Sequence, residues 1–161
     1  MNDYIVKHEW HIIEDQFCAE KNEISESIFA IGNGRMGQRA NFEEYYSGKS
    51  LQGSYLAGIY YPDKTRVGWW KNGYPEYFAK IINSVAWIGV DIHIDGQRLD
   101  LAAVEVLDFE RRLDMKSGLL HRRVTFKVDS GATFRLCSTR FYHMGSPETA
   151  ALELTLLAFL Q

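Results

Sequence analysis

The sequence predicts an all-β domain built as an antiparallel sandwich, and three observations carry that expectation. From Ser84 onward apolar and polar residues alternate with a period of two, short turn signals separate the runs, and no segment sustains a helical stripe over ten residues. In Ile88-Gly89-Val90-Asp91-Ile92-His93-Ile94 the even positions are all β-branched and apolar, while the odd ones include Asp91 and His93, which predicts a half-buried strand. Asp95-Gly96 follows as a pair suited to a tight type I′ hairpin, with Arg98-Leu99-Asp100-Leu101 returning antiparallel. Val104 to Leu113 supplies a further strand with weaker alternation. Val124, Phe126 and Val128 then alternate with Thr125 and Lys127, and Asp129-Ser130-Gly131 turns the chain into Phe134 and Leu136. The last run sets Leu152, Leu154 and Leu156 on one face and Glu153 and Thr155 on the other.

The 161 residues suffice for one domain with its own core, and 46% hydrophobic against 24% charged residues excludes intrinsic disorder. Eighteen basic and twenty-one acidic residues leave a formal charge of −3 without a basic run, which argues against nucleic-acid or anionic-membrane binding driven by bulk charge. Cys18 and Cys137 form neither a disulfide framework nor a spaced zinc cluster. The first residues lack the apolar core of a signal peptide, and no run approaches membrane-spanning length. The expectation is a soluble, cytoplasmic chain. Its final residues, Ala150 to Gln161, stop inside an apolar run, which suggests a fragment of something longer.

Several residue patterns invite chemistry. Gly32-Asn33-Gly34-Arg35-Met36-Gly37 has the G-x-G-x-x-G spacing, but no helix pattern follows it and no βαβ alternation surrounds it, so Asn33-Gly34 reads as a hairpin turn. Glu43 and Glu44, if extended, point to opposite faces and cannot flank one bond. They, Asp108, Glu110 and Asp114 read as solvated strand edges. His8, His11, His93, His121 and His143 show no metal-ligand spacing, so no metal and no cofactor is expected. His93, on the polar face of its strand, could serve as the acid–base group of a sugar epimerase.

Aromatic residues cluster more tellingly. All four tryptophans and eight of the nine tyrosines precede residue 88. Between Gly53 and Phe78 lie Tyr55, Tyr60, Trp69, Trp70, Tyr74 and Tyr77, interleaved with Lys71, Asn72, glycines and prolines that favour a long structured loop over a regular element. Flat aromatic rings beside polar groups suit either a sugar face or contact with a neighbouring domain.

Glu26-Ser27-Ile28-Phe29-Ala30-Ile31-Gly32-Asn33-Gly34-Arg35-Met36-Gly37-Gln38-Arg39-Ala40-Asn41-Phe42-Glu43-Glu44 is similar to the opening signature of glycoside hydrolase family 65, which holds maltose, trehalose and kojibiose phosphorylases. Gly53 to Tyr60, Gly68-Trp69-Trp70-Lys71-Asn72-Gly73-Tyr74-Pro75-Glu76-Tyr77-Phe78, Asp95 to Leu101 and Leu113 to Leu120 resemble the maltose-phosphorylase branch. The resemblance implies the front part of a β super-sandwich, a shape shared with sugar (galactose) mutarotases, followed in longer members by a catalytic (α/α)6 barrel. It also implies an inverting reaction on that barrel, where a glutamic acid protonates the glycosidic oxygen and inorganic phosphate attacks the anomeric carbon. The catalytic groups belong to the barrel, so no catalytic residue is assigned to this chain. Barrel docking, a homodimer contact and contact with the disaccharide are the partner roles implied. A free-standing carbohydrate-binding module and a small mutarotase- or epimerase-like enzyme are the alternatives.

Overall fold

A computed structural model describes residues 4–65 and 75–159. The elements run β1 (Ile5–Lys7), β2 (His11–Glu14), a 3-10 turn at Ala19–Lys21, helix α1 (Asn22–Ile28), β3 (Ile31–Gly32), β4 (Met36–Gln38), β5 (Ser54–Leu56) and β6 (Tyr60–Lys64). They continue with β7 (Tyr77–Ile81), β8 (His93–Ile94), β9 (Gln97–Arg98), β10 (Glu105–Asp114), β11 (Leu119–Lys127), β12 (Thr133–Tyr142) and β13 (Ala150–Phe159). One fully antiparallel six-stranded sheet, ordered β1-β2-β10-β11-β12-β13, forms the main layer. The fold is the antiparallel β-sandwich class that the alternation predicts.

Strict alternation gives this sheet two unlike faces. Leu120, Arg122, Val124 and Phe126 of β11 and Leu136, Ser138, Arg140 and Tyr142 of β12 point inward and are buried. His121, Arg123, Arg135, Cys137 and Thr139 occupy the alternate positions on the other, more open face. A second layer of short pieces covers the inner face: the three-stranded sheet β3-β4-β5, the β8–β9 hairpin, α1 and the irregular segment 41–52. Phe42, Leu99 and Leu101 from that layer pack on Phe109, Val124, Phe126 and Leu136. Phe29, Ala40 and Leu120 form a second, smaller cluster. Burying a large apolar side chain is worth about 1.5–3 kcal/mol, so the first cluster carries most of the apolar stabilisation.

The Asp95-Gly96 turn is of type I′, with φ of 52° and 79° at its two central residues, as the pair predicts. The strand predicted over Ile88–Ile94 is shorter: only His93–Ile94 pairs in a ladder. Ile88 is buried and Ile92 packs on the core, yet the Val90 amide makes a single hydrogen bond to Glu43 O (2.7 Å) rather than entering a sheet. Alternation reports which side chains are buried; a ladder also needs a neighbouring strand. The segment expected as a loop from Gly53 onward instead contains β5, β6 and the start of β7. Pro62 is tolerated there because β6–β7 is a two-stranded ribbon of its own, where a missing N–H costs no central ladder bond.

Candidate functional site

Three arginines at inward positions of adjacent strands define a buried charged belt: Arg111 on β10, Arg122 on β11 and Arg140 on β12. The covering layer meets them with Glu26, Glu43 and Glu44, and the neighbouring strand β2 adds Glu14, all at most 4% exposed. Arg122 donates from Nε to Glu43 Oε2 (3.0 Å), from Nη2 to the same oxygen (2.6 Å) and from Nη1 to Glu44 Oε1 (2.8 Å), with a further bond from Nη2 to Glu44 Oε2. Glu43 Oε1 also accepts from Ser138 Oγ (3.0 Å) and Arg140 Nη1 (3.1 Å). Here the sequence expectation fails. Glu43 and Glu44 lie in a bend rather than a strand, so both carboxylates reach one guanidinium, and neither is a solvated edge.

The electrostatics follow from burial and pairing. Burial pushes the Glu43 carboxyl up, but Arg122 and Arg140 outweigh it and hold the group below the ordinary carboxylate range. Burial lowers the Arg122 guanidinium, and Glu44 and Glu43 more than reverse that, raising it. Arg111 is poorer in partners. Its Nε lies 3.5 Å from Glu14 Oε2 without a hydrogen bond, its Nη2 donates to Asn22 Oδ1 (3.2 Å), and the Phe42, Phe109 and Phe29 rings surround it. Burial accordingly lowers it to about 10, and burial raises the Glu14 carboxyl. The belt locks the two layers together; Glu14, the carboxyl whose affinity for a proton is raised, sits 1% exposed behind Arg111 and Ser25.

The aromatic candidates lie elsewhere. Trp69, Trp70, Lys71, Asn72 and Tyr74 fall outside the described residues. Tyr60 and Tyr77 lie on β6 and β7, and the register Tyr60↔Ile81, Pro62↔Ala79, Lys64↔Tyr77 sets both on one face of the ribbon. They are 51% and 52% exposed. Tyr55 is half-buried on β5 and its hydroxyl accepts from Arg39 Nε (3.2 Å). Tyr55 and Tyr60 share an open cleft of about 250 Å³ with Arg35, Met36 and Ile81; Tyr77 does not line it. The opposite face of the ribbon carries the Lys80–Asp63 ion pair. His93 is exposed on its short hairpin, and both cysteines are free. Among the described residues no group of three His, Cys, Asp or Glu gathers as metal ligands, and no helix is long and apolar enough to cross a membrane.

Asn33-Gly34 does form a hairpin turn, between β3 and β4, with Gly34 at φ 84°. Asn33 Oδ1 accepts from the Arg35 and Met36 amides (3.0 and 2.9 Å), while its Nδ2 donates to the carbonyls of His143 (2.9 Å) and Pro147 (3.0 Å). The sequence singled out this turn but gave no sign of its fastening to the β12–β13 connection.

A one-sided antiparallel sheet capped by short strands, with its charges locked internally, defines an all-β sandwich domain. A solved human-microbiome protein assigned as a kojibiose phosphorylase superposes with a TM-score of 0.86 at 34% identity, over 96% of this chain and 20% of its own. The chain belongs to glycosyl hydrolase family 65, whose N-terminal domain it matches over residues 12–159. The maltose phosphorylase of Bacillus subtilis is 45% identical over 145 residues, which are 90% of this chain and 19% of that enzyme. The α,α-trehalose phosphorylase of Thermoanaerobacter brockii is 32% identical over 92% of this chain and 20% of its own length. The chain thus spans about a fifth of these relatives.

Proposed function

We propose that this chain is the front part of the non-catalytic N-terminal sandwich of a disaccharide phosphorylase of the maltose type, with the work of supporting and docking a catalytic (α/α)6 barrel. In this reading the chemistry, including use of inorganic phosphate as co-substrate, belongs to the barrel. The chain itself holds no cofactor, works in the cytoplasm and contributes to a homodimer contact. The observation that carries the proposal is the match to an N-terminal domain within enzymes about five times longer. The belt supports it, because a general acid needs a raised proton affinity at an accessible position. Glu43 is held low, and Glu14 is enclosed. Incubated alone with maltose and orthophosphate, the chain is expected to release no glucose 1-phosphate; turnover above a heat-killed control would overturn the reading.

Carbohydrate contact through the ribbon is a second reading, favoured by the exposed rings of Tyr60 and Tyr77 on one face of it. Titration with maltose and glucose tests it: saturable binding weakened by Tyr60→Ala supports a sugar site, and no heat or chemical-shift change removes it.

A further inference from the structure

The β3–β4 hairpin is held more firmly than a surface turn requires. All four hydrogen-bonding positions of the Asn33 amide are used, two within the turn and two on the β12–β13 connection, so the tip at Gly34-Arg35 is fixed relative to the main sheet. Two open apolar clefts flank it. On one side, Ile31, Met115, Leu119, Phe141 and Met144 line a cleft of about 530 Å³. On the other, Met36, Tyr55, Tyr60 and Ile81 line the cleft already described. Met115 and Met144 are 47% and 75% exposed, and Ile81 is 63% exposed. Exposed apolar side chains grouped around a rigid prong suit a contact surface, and methionines suit one that must adapt to a packed partner.

We infer that this end of the molecule, centred on the Asn33–Arg35 turn, is the face that docks the catalytic part of the longer enzymes. The inference rests on the scaffold reading above and adds where the contact falls. About four fifths of each matched relative lies outside the region this chain matches, length enough for the catalytic part to cover this end. The exposed Arg35 side chain, which lines the cleft with Met36, Tyr55 and Ile81, calls for a carboxylate on the facing surface.

The two methionines provide the probe, since a thioether oxidises in proportion to its contact with solvent. Hydroxyl-radical footprinting is run on this chain alone and on a chimera in which it replaces the matched stretch of the Bacillus subtilis maltose phosphorylase. Met115 and Met144 are expected to oxidise several-fold more slowly in the chimera. Leu107, 51% exposed at the far end of the β10–β11 pair, is expected to keep its rate. Met144→Glu combined with Arg35→Glu should restore fast oxidation of Met115, whereas Leu107→Glu should not. Protection of Leu107 with Met115 and Met144 unchanged would overturn this placement and leave the scaffold reading standing. Concentration-dependent protection of Met144 in the chain alone would make a second copy the occupant and overturn it too. A chimera shielded nowhere would overturn the scaffold reading itself.

Discussion

Replacing Arg122 with methionine keeps most of the apolar stem and removes the guanidinium on which two carboxylates converge. Four charge-assisted hydrogen bonds are lost. Glu43 retains Arg140 and Ser138, so its charge stays compensated. Both Glu44 carboxylate bonds run to Arg122, so Glu44 becomes a buried charge without its counterion. Breaking one side of a buried pair costs about 3–5 kcal/mol, because the remaining charge has lost water and partner alike. With a urea slope of about 2 kcal/mol/M, the midpoint should fall by roughly 1.5–2.5 M. Arg122→Lys keeps the charge but not the planar fork, and should cost less. Adding Glu44→Gln to Arg122→Met should recover about 1–3 kcal/mol, since the stranded charge is gone. Urea titrations followed by tryptophan fluorescence decide it. A loss below about 1 kcal/mol for Arg122→Met would refute the buried-belt account, because that is the size of an exposed ion pair.

Acid should act through the same belt. Glu43 titrates below its ordinary value of 4.5 when folded, so its contribution is complete above that pH and is lost as pH falls through the lower folded value. Urea midpoints measured down to about pH 3 should therefore drop less steeply with acid in Glu43→Gln than in the parent chain. Asn33→Ala removes four hydrogen bonds and should cost about 2–4 kcal/mol, with amide exchange of Arg35 and Met36 accelerated; unchanged exchange would show the turn to be self-supporting. Gly32→Ala would set a Cβ 2.7 Å from Met36 O, against backbone that cannot swing aside, and thermal unfolding should show a loss of about 1–3 kcal/mol. Gly34→Ala meets no atom within 4 Å, so its cost should be only the left-handed backbone, about 1 kcal/mol.

Most of the main sheet was legible because its strands alternate cleanly and are joined by local turns. Val124 and Phe126 fall on the buried side of β11, the Asp95-Gly96 turn has its expected form, and the closing run is β13. The belt was hidden for a physical reason: pattern reading assigns charged residues to solvent, and here arginines occupy the inward register. Arg122 stands between Leu120 and Val124 in the same two-residue period, and that interruption of an apolar face was the available signal. Helix α1 escaped for the mirror-image reason. Its buried side is Asn22, Ser25 and Glu26, facing the belt, while Ile24 is 56% exposed, so its hydrophobic periodicity is inverted. The Glu43–Glu44 pair was misread because a bend, not a strand, carries it.

The order of synthesis gives the belt a kinetic meaning. Its acids come early in the chain and two of its arginines late: Glu44 and Arg122 are 78 residues apart, Glu43 and Arg140 97. A nascent chain therefore presents carboxylates long before their cations leave the ribosome, and these closures bear the loop entropy of distant partners. The β10–β11–β12 meander, whose contacts are local, is placed to form the folding nucleus, with the charge lock snapping shut on the downhill side of the barrier. Substitutions in the lock should then hasten unfolding and leave the refolding rate almost untouched.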